Sequence, residues 1–481
     1  MNYSKPVMLI LTFILALTFV YFILFGGLGA AASLYVLIYY ALIIGYAKVC
    51  KIKLRLKSFI LLIPIFLTAS CFILYDNSLL KILNTLFLSA LVLLQTADMF
   101  EDSIYPLFSL NTLLDLIHIS IVLPLCNISS AFSTIKQFSG SKEKLKVLFK
   151  VLIGILIAIP FMAIVINLLI SSDTAFAGVM HLISRSLTNE LAMHLFKTGL
   201  AMILTLFLFA LLDGLKDKLT FLPKKITLQI PPIIDPIIAL TISNLIGVIY
   251  IIYCFSQLAY FVSAFQMILP SDFTFAEYTR KGFFELVPLS LFNIILIYGL
   301  SKLTHFTQSK VQSRWGHITS VFITLFNLFL IASTLFKMIM YVSSYGLTPL
   351  RVYTTWFIIL LCLLFFITLI KLFISKVRAF KCFYISFIIL FAGLNFINTD
   401  RLIARYNINQ YTSGVVKELD FNLFYDLSAS AVPEVVKLLE LNDPAITYEV
   451  NTFLDEYNAN HSTNRWETFN FSAYEAKNTI Q

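Results

Sequence analysis

Apolar residues run along this chain in long blocks broken by short polar stretches. The blocks fall near residues 7–26, 29–47, 58–75, 79–97, 149–170, 195–214, 235–262, 283–301, 318–342, 353–375 and 382–399. A helix of about 20 residues is ~30 Å long, the thickness of a bilayer's hydrocarbon core. The pattern therefore predicts eleven membrane-spanning helices. A further apolar stretch, 104–125, holds Asp115 and His118 and leads into the polar stretch Ser129 to Lys150. Ionisable groups are costly in lipid, so this stretch is expected to be an interfacial or re-entrant helix. The first run, Val7 to Phe25, is followed by the small residues Gly29-Ala30-Ala31. It is longer than the apolar core of a signal peptide, about 7–15 residues, and is read as an uncleaved span.

After Asn398 the pattern changes to a polar segment in which apolar residues recur at helical spacing, in Phe421–Leu427 and Val432–Leu441. Asp443-Pro444 supplies an N-cap followed by proline at the first helical position, which starts a helix through about Tyr457. Trp466 to Ile480 reads as a last amphipathic helix. The expected fold class is thus all-α: a polytopic transmembrane helical bundle of about 11 spans plus one interfacial or re-entrant helix, with a small extracytoplasmic helical C-terminal tail. Its expected divisions are an N-terminal membrane region 1–148, a membrane domain 149–399 and a soluble acidic tail 400–481.

Composition excludes a soluble globular protein. Charged residues are 13% of the 481 and mean hydropathy is +0.88, where soluble domains carry about 25% charged residues. The net charge of +9 is split unevenly: the tail has six Lys and Arg against twelve Asp and Glu, leaving the rest of the chain at +15. Basic clusters lie at Lys48–Lys57, Lys136–Lys150, Lys216–Lys225, Lys302–Arg314 and Lys376–Lys381. By the positive-inside rule these loops are cytoplasmic. All five share one side only if 104–125 does not cross. The N-terminus is then cytoplasmic and the tail extracytoplasmic, with the lipid bilayer as the implied partner and no call for nucleic acid. The six cysteines and six histidines are scattered, without C-x-x-C or H-E-x-x-H. No metal and no cofactor is expected, and His181 and His194, beside Asp173 and Glu190, have no metal spacing.

In this topology four polar segments share the outer side: Ser171-Ser172-Asp173, Phe275 to Glu285, Tyr345 to Arg351, and Asn398 to Asn407. Arg280, Lys281 and Arg351 run against the positive-inside trend, and Asp173, Glu277, Glu285 and Asp400 are their available counter-charges. Lys337 lies within an apolar run on one helix face with Asn327, Thr334 and Tyr341. A snorkelling lysine in a packing seam and a functional charge both fit it. Glu285 shares a face with Asn293 and forms an i,i+4 pair with Lys281, which also suits a surface pair. Tyr253, Gln257 and Tyr260 form a stripe that an aromatic belt explains as well as a ligand. Tyr345-Gly346-Leu347-Thr348-Pro349 reads as a structural elbow, beside which Arg351 could hold a carboxylate bidentately. Asp400, Arg401 and Arg405 in Asn398–Asn407 are read first as a clasp that docks the tail. No phosphate-binding loop or nucleophile elbow is present.

These segments, S-S-D-x-x-F at Ser171–Phe176, F-A-E-Y-x-R-x-G-F-F-E-L at Phe275–Leu286, Y-G-L-T-x-x-R-V-Y at Tyr345–Tyr353 and N-x-D-x-L-I-A-R-Y-N at Asn398–Asn407, resemble a family of bacterial membrane proteins of unknown function, DUF 4173, akin to DUF 4153. Leu427-Ser428, Ala431-Val432-Pro433 and Trp466 to Ala476 also look like that family's tail. The resemblance covers about 150–481, the first 150 residues matching only as generic spans. It implies a multi-pass protein of the bacterial plasma membrane and supplies no catalytic residues. Where the family often has arginine before Y-G-L-T this chain has Lys337, which weakens a bidentate role there.

The expected function is non-enzymatic: an external, ion-paired site used in envelope maintenance, transport or signalling, with an envelope or signalling protein as a further partner. The alternatives are a transporter or flippase with a path along the Lys337 and Glu285 seams, and an enzyme of envelope lipid or cell-wall precursors.

Overall fold

The computed structural model describes residues 4–100, 107–138, 158, 161–162, 164–186, 190–218, 234–265, 275–304, 309–416, 418–460 and 465–480. Among them there is no strand. The helices are α1 (Ser4–Thr18), α2 (Ala30–Val49), α3 (Leu62–Leu74), α4 (Ser78–Met99), α5 (Thr112–Ile117), α6 (Leu123–Phe138), α7 (Thr174–Ser186), α8 (Glu190–Lys216) and α9 (Pro236–Phe265). They continue with α10 (Phe275–Tyr298), α11 (Lys310–Tyr345), α12 (Pro349–Phe373), α13 (Ala379–Phe396), α14 (Thr399–Thr412), α15 (Asn422–Tyr425), α16 (Val432–Val436), α17 (Pro444–Asn460) and α18 (Phe471–Ile480). Eleven described helical runs are long and apolar enough to cross a membrane. Helices are the one open-ended structure that satisfies its own backbone in lipid. The protein is a polytopic helical membrane protein.

Eleven equals the expected number, but the membership differs. Much of 149–170 lies outside the described residues, whereas Thr112–Ile135 qualifies as a 24-residue span. An interfacial or re-entrant helix was expected at 104–125 because Asp115 and His118 seemed destined for lipid. Both are instead buried in protein, at 3% and 1% exposure, so the cost that argued against crossing is not incurred. The run also lies antiparallel beside α8: Asn127 Nδ2 donates to the Ala210 carbonyl at 2.9 Å, and Leu123 packs where Gly214 leaves room for it.

Packing divides the chain into two units, 1–224 with 462–474, and 225–461 with 475–481. In the first unit α1 and α8 are antiparallel. Lys5 Nζ meets Asp213 at 3.0 Å near one end, and Tyr21 OH lies 3.2 Å from His194 Nδ1 near the other. The basic loop after α2 is pinned to the end of α4, where Arg55 pairs with Asp98 at 2.7 Å. The opposite ends of these helices are strapped by tail residues. Thr468 packs on Gly27 and Gly29, Ala30 N donates to the Phe469 carbonyl at 2.9 Å, and Asn470 Nδ2 donates to Asp76 at 3.1 Å. The strap is not the single helix expected over Trp466–Ile480. A short 3-10 turn, Trp466–Thr468, precedes α18, which begins only at Phe471 because Asn470 caps it through a 2.8 Å bond from Ala473 N.

In the second unit α9 packs parallel to α11, and α10 packs antiparallel on α11. Tyr250 stacks on Phe326 at 3.9 Å, and Phe322 faces Gly247. The core is Leu286, Ile323, Ile331, Ile358 and Phe365. Beyond α13, helix α14 packs on α12, α16 and the turn Ala429–Ala431. The helix after Asp443-Pro444 forms as its cap dictates, with Asp443 Oδ1 accepting from Ala445 N at 2.8 Å. Phe424, Val432, Val435 and Val450 make the apolar core of this part of the tail.

Candidate functional site

Helix α11 carries the buried polar residues Thr319, Ser320, Thr324, Asn327, Ser333, Thr334 and Lys337. Ser320, Thr324 and Thr334 donate to carbonyls of their own helix, while Thr319 and Asn327 meet the helices packed beside it, which are also bonded to each other. Thr319 Oγ1 donates to Asn244 at 3.1 Å, Ser290 Oγ donates to Asn327 Oδ1 at 3.1 Å, and Tyr250 OH donates to Asn293 Oδ1 at 2.6 Å. The Nδ2 group of Asn293 is buried and has no hydrogen-bond partner among the described residues. Such a group costs about 1–3 kcal/mol when left bare. This seam runs from Thr319 to Lys337, eighteen residues and ~27 Å of helix rise.

Lys337 closes the seam at 7% exposure. Its stem passes over Gly282, where a β-carbon would sit 3.0 Å from Lys337 Cδ and 3.4 Å from Nζ. The glycine of F-A-E-Y-x-R-x-G is therefore the space that the lysine occupies. Tyr253, Glu285, Ser333 and Thr334 complete a small cavity here of about 10 Å³, room for one water. Glu285 is exposed at its edge. The helix backbone through Glu277, Arg280 and Lys281 is described, but their side chains, like those of Gln257, Tyr260 and His181, lie outside the described residues.

About two turns above Lys337 the elbow begins. Gly346 ends α11 at φ +75°, a conformation that only glycine adopts cheaply. Thr348 caps α12 and Pro349 opens it. Arg351 reaches back to the Tyr345 and Gly346 carbonyls at 2.8 and 2.5 Å, and lies 4.0 Å over the Tyr341 ring. Arg351 and Tyr341 thus fasten the turn. Asn407 docks on it: Oδ1 accepts from Leu347 N at 2.9 Å and Nδ2 donates to Leu347 O at 2.8 Å. Any β-carbon on Gly346 would fall 2.1 Å from Asn407 Oδ1. The Y-G-L-T and A-R-Y-N segments are two halves of one contact.

The clasp is formed by two of its three expected members. Asp400, 2% exposed, accepts from Ser428 N at 3.1 Å. Arg401 Nε donates to Glu434 Oε1 at 2.9 Å, and its Nη1 donates to Glu475 at 3.1 Å. Lys437 supplies Glu434 with a second cation at 2.6 Å. Arg405 is exposed and makes no ion pair among the described residues. Asp173 belongs to the first unit, where it is exposed and caps its own helix through Ala175 N at 2.9 Å. Sequence reasoning missed Tyr250, Ser290, Glu434 and Glu475, which no spacing rule links to their partners.

Burial pushes the Glu434 carboxyl up, but its bonds to Lys437 and Arg401 outweigh this and hold it below the ordinary value. A depressed folded value means that the ionised form stabilises docking above the unfolded carboxylate range. The gain is lost as pH falls through the depressed value. Tail docking, followed by protease resistance of 418–460, is expected to be flat across neutral pH and to fail only in acid. In Glu434→Gln that acid transition should shrink. Asn407→Leu leaves the Leu347 N–H and C=O bare, each costing about 1–3 kcal/mol. Its thermal midpoint in detergent should fall, and Gly346→Ala should fall with it, the pair being non-additive because both break one contact.

No curated protein and no solved structure matches the chain. A family match does exist, and it is to DUF4153, the family to which the resemblance was akin. It begins at residue 62, far earlier than the 150 of the resemblance, and ends at 438, before the strap and α18. It takes in the seam, the elbow and the clasp from Asp400 to Glu434. Matched over residues 62–438, the chain belongs to the family described as Domain of unknown function (DUF4153).

Proposed function

We propose that this protein is a non-enzymatic component of the bacterial plasma membrane whose extracytoplasmic tail, locked to its membrane helices, serves envelope maintenance or signalling by engaging a partner protein. The observation that carries this reading is how the charged motif residues are spent. Arg401 is committed to Glu434 and Glu475, Asp400 to Ser428, and Arg351 to the elbow carbonyls. These described charges are spent on the protein's own groups. The cavity that the described residues form at Lys337 has room for one water. An external tail is supported by the strap: Thr468 and Asn470 hold the loops at Gly27–Gly29 and Asp76, the helix ends opposite the basic loop Lys48–Lys57. Alkaline phosphatase fused after Gln481 is expected to be active, and the same reporter in the loop 50–55 inactive. The reverse pattern overturns the reading.

A second reading, transport of an anionic or zwitterionic solute, is favoured by the buried polar seam along α11 and the bare Asn293 amide. Lys337→Met then abolishes uptake by the reconstituted protein while leaving its thermal midpoint near wild type. Unchanged uptake in that variant removes transport along this seam.

A further inference from the structure

The first unit contains a cavity of about 220 Å³ among α1, α2, α3, α4 and α8. Its walls are Phe19, Val36, Phe72, Leu88, Val92 and Leu211, with few polar groups. Three of the four polar side chains on the lining are already engaged, the fourth being the Tyr35 hydroxyl. Thr85 and Ser89 donate to carbonyls of their own helix at 2.8 and 2.7 Å, and Tyr39 OH bonds Thr96 at 2.9 Å. Water needs two to four polar partners to stay in a cavity, so this space suits an apolar occupant.

Size and shape narrow the choice. The lining extends from Ala32 to Tyr39 on α2 and from Thr85 to Leu93 on α4, so the cavity follows the helix axes for ~10–12 Å. A dry cavity of about 150 Å³ takes benzene, roughly 25 Å³ per carbon, which scales to about nine carbons here. That is a large part of one acyl chain. It is too little for two chains or for a long polyprenyl chain. The mouth decides the source. Ser89, on the lining, is exposed midway along the membrane-length helix Ser78–Met99. The cavity therefore opens sideways at the depth of the hydrocarbon. At its other end Leu28 enters the wall between Gly27 and Gly29, the two glycines packed against Thr468.

We infer that this cavity binds one acyl chain of a bilayer phospholipid, inserted from the side past Ser89 with its terminal carbons toward Phe72 and Leu211. This goes beyond the reading of the second unit and does not depend on it. Lipid is as apolar as the cavity, so retention comes from close packing rather than from removal of water. Shape-filling substitutions are therefore the sensitive test.

The full chain is purified in detergent, stripped of lipid, exposed to dioleoyl phosphatidylglycerol and examined by native mass spectrometry. The wild type should retain one phospholipid per chain. Ala32→Phe, which fills the cavity, and Ser89→Leu, which plugs its mouth, should each lower occupancy at least tenfold. Leu86→Phe, on an exposed position of α4, should not. Each variant is first checked for monodisperse elution, and Ser89→Leu alone decides if Ala32→Phe does not fold. Equal retention by wild type and the folded variants overturns the proposal. So does a wild type that retains nothing, or one that is purified with a polyprenyl lipid in the site.

Discussion

Inside a bilayer a polar group has no water to turn to, and each unmet one costs several kcal/mol. Several of the described polar residues are placed under that rule. Asp115 and His118 sit in protein rather than lipid. Asn327 receives Ser290, and Asn293 receives Tyr250. Lys337 lies along the face of Gly282. The helices of the second unit are thus held in register by side-chain hydrogen bonds as well as by apolar packing. In lipid such bonds carry much of the specificity that water-driven burial carries in soluble proteins.

The same rule explains the tail. A helix C-terminus leaves carbonyls without partners, and α11 ends where α12 must start almost at once. Arg351 covers two of those carbonyls from one side, and Asn407 bonds the next peptide from the other. Once Asn407 is seated, α14 is fixed on the membrane helices, and Arg401 is brought to Glu434 and Glu475. Glu434 is almost fully buried, so removal of its cations would leave a charge with no solvent. Arg401 is itself more than a third exposed, at 38% of its side chain, so its share of the stabilisation is screened and smaller than a buried pair's.

Described residues of the four motifs have local roles. The elbow and the Asn398–Asn407 stretch explain each other as a joint. Gly282 is explained by the lysine stem that crosses it. Asp173 caps its own helix. In the second unit the polar seam beneath Lys337 is the feature that these local roles do not explain. The apolar cavity of the first unit adds a separate site for the membrane's own lipid.

Apolar runs and local residue types determined the class, the cap at Asp443-Pro444 and the elbow at Gly346, because each depends on residues close to one another along the chain. The turn at Asn470 escaped that reading: Phe469 and Phe471 keep the apolar pattern going, while one carboxamide restarts the helix. Burial of Asp115 and His118 escaped it too, since a sequence shows what a residue costs in lipid and not whether a neighbour removes that cost. The pairs Asn407–Leu347, Arg401–Glu434, Tyr250–Asn293 and Ser290–Asn327 join residues 33 to 60 positions apart. Only packing of whole helices selects such partners, because any of several polar side chains could have met the same need. Charge and apolarity were written in the chain; which group answers which was decided by the fold.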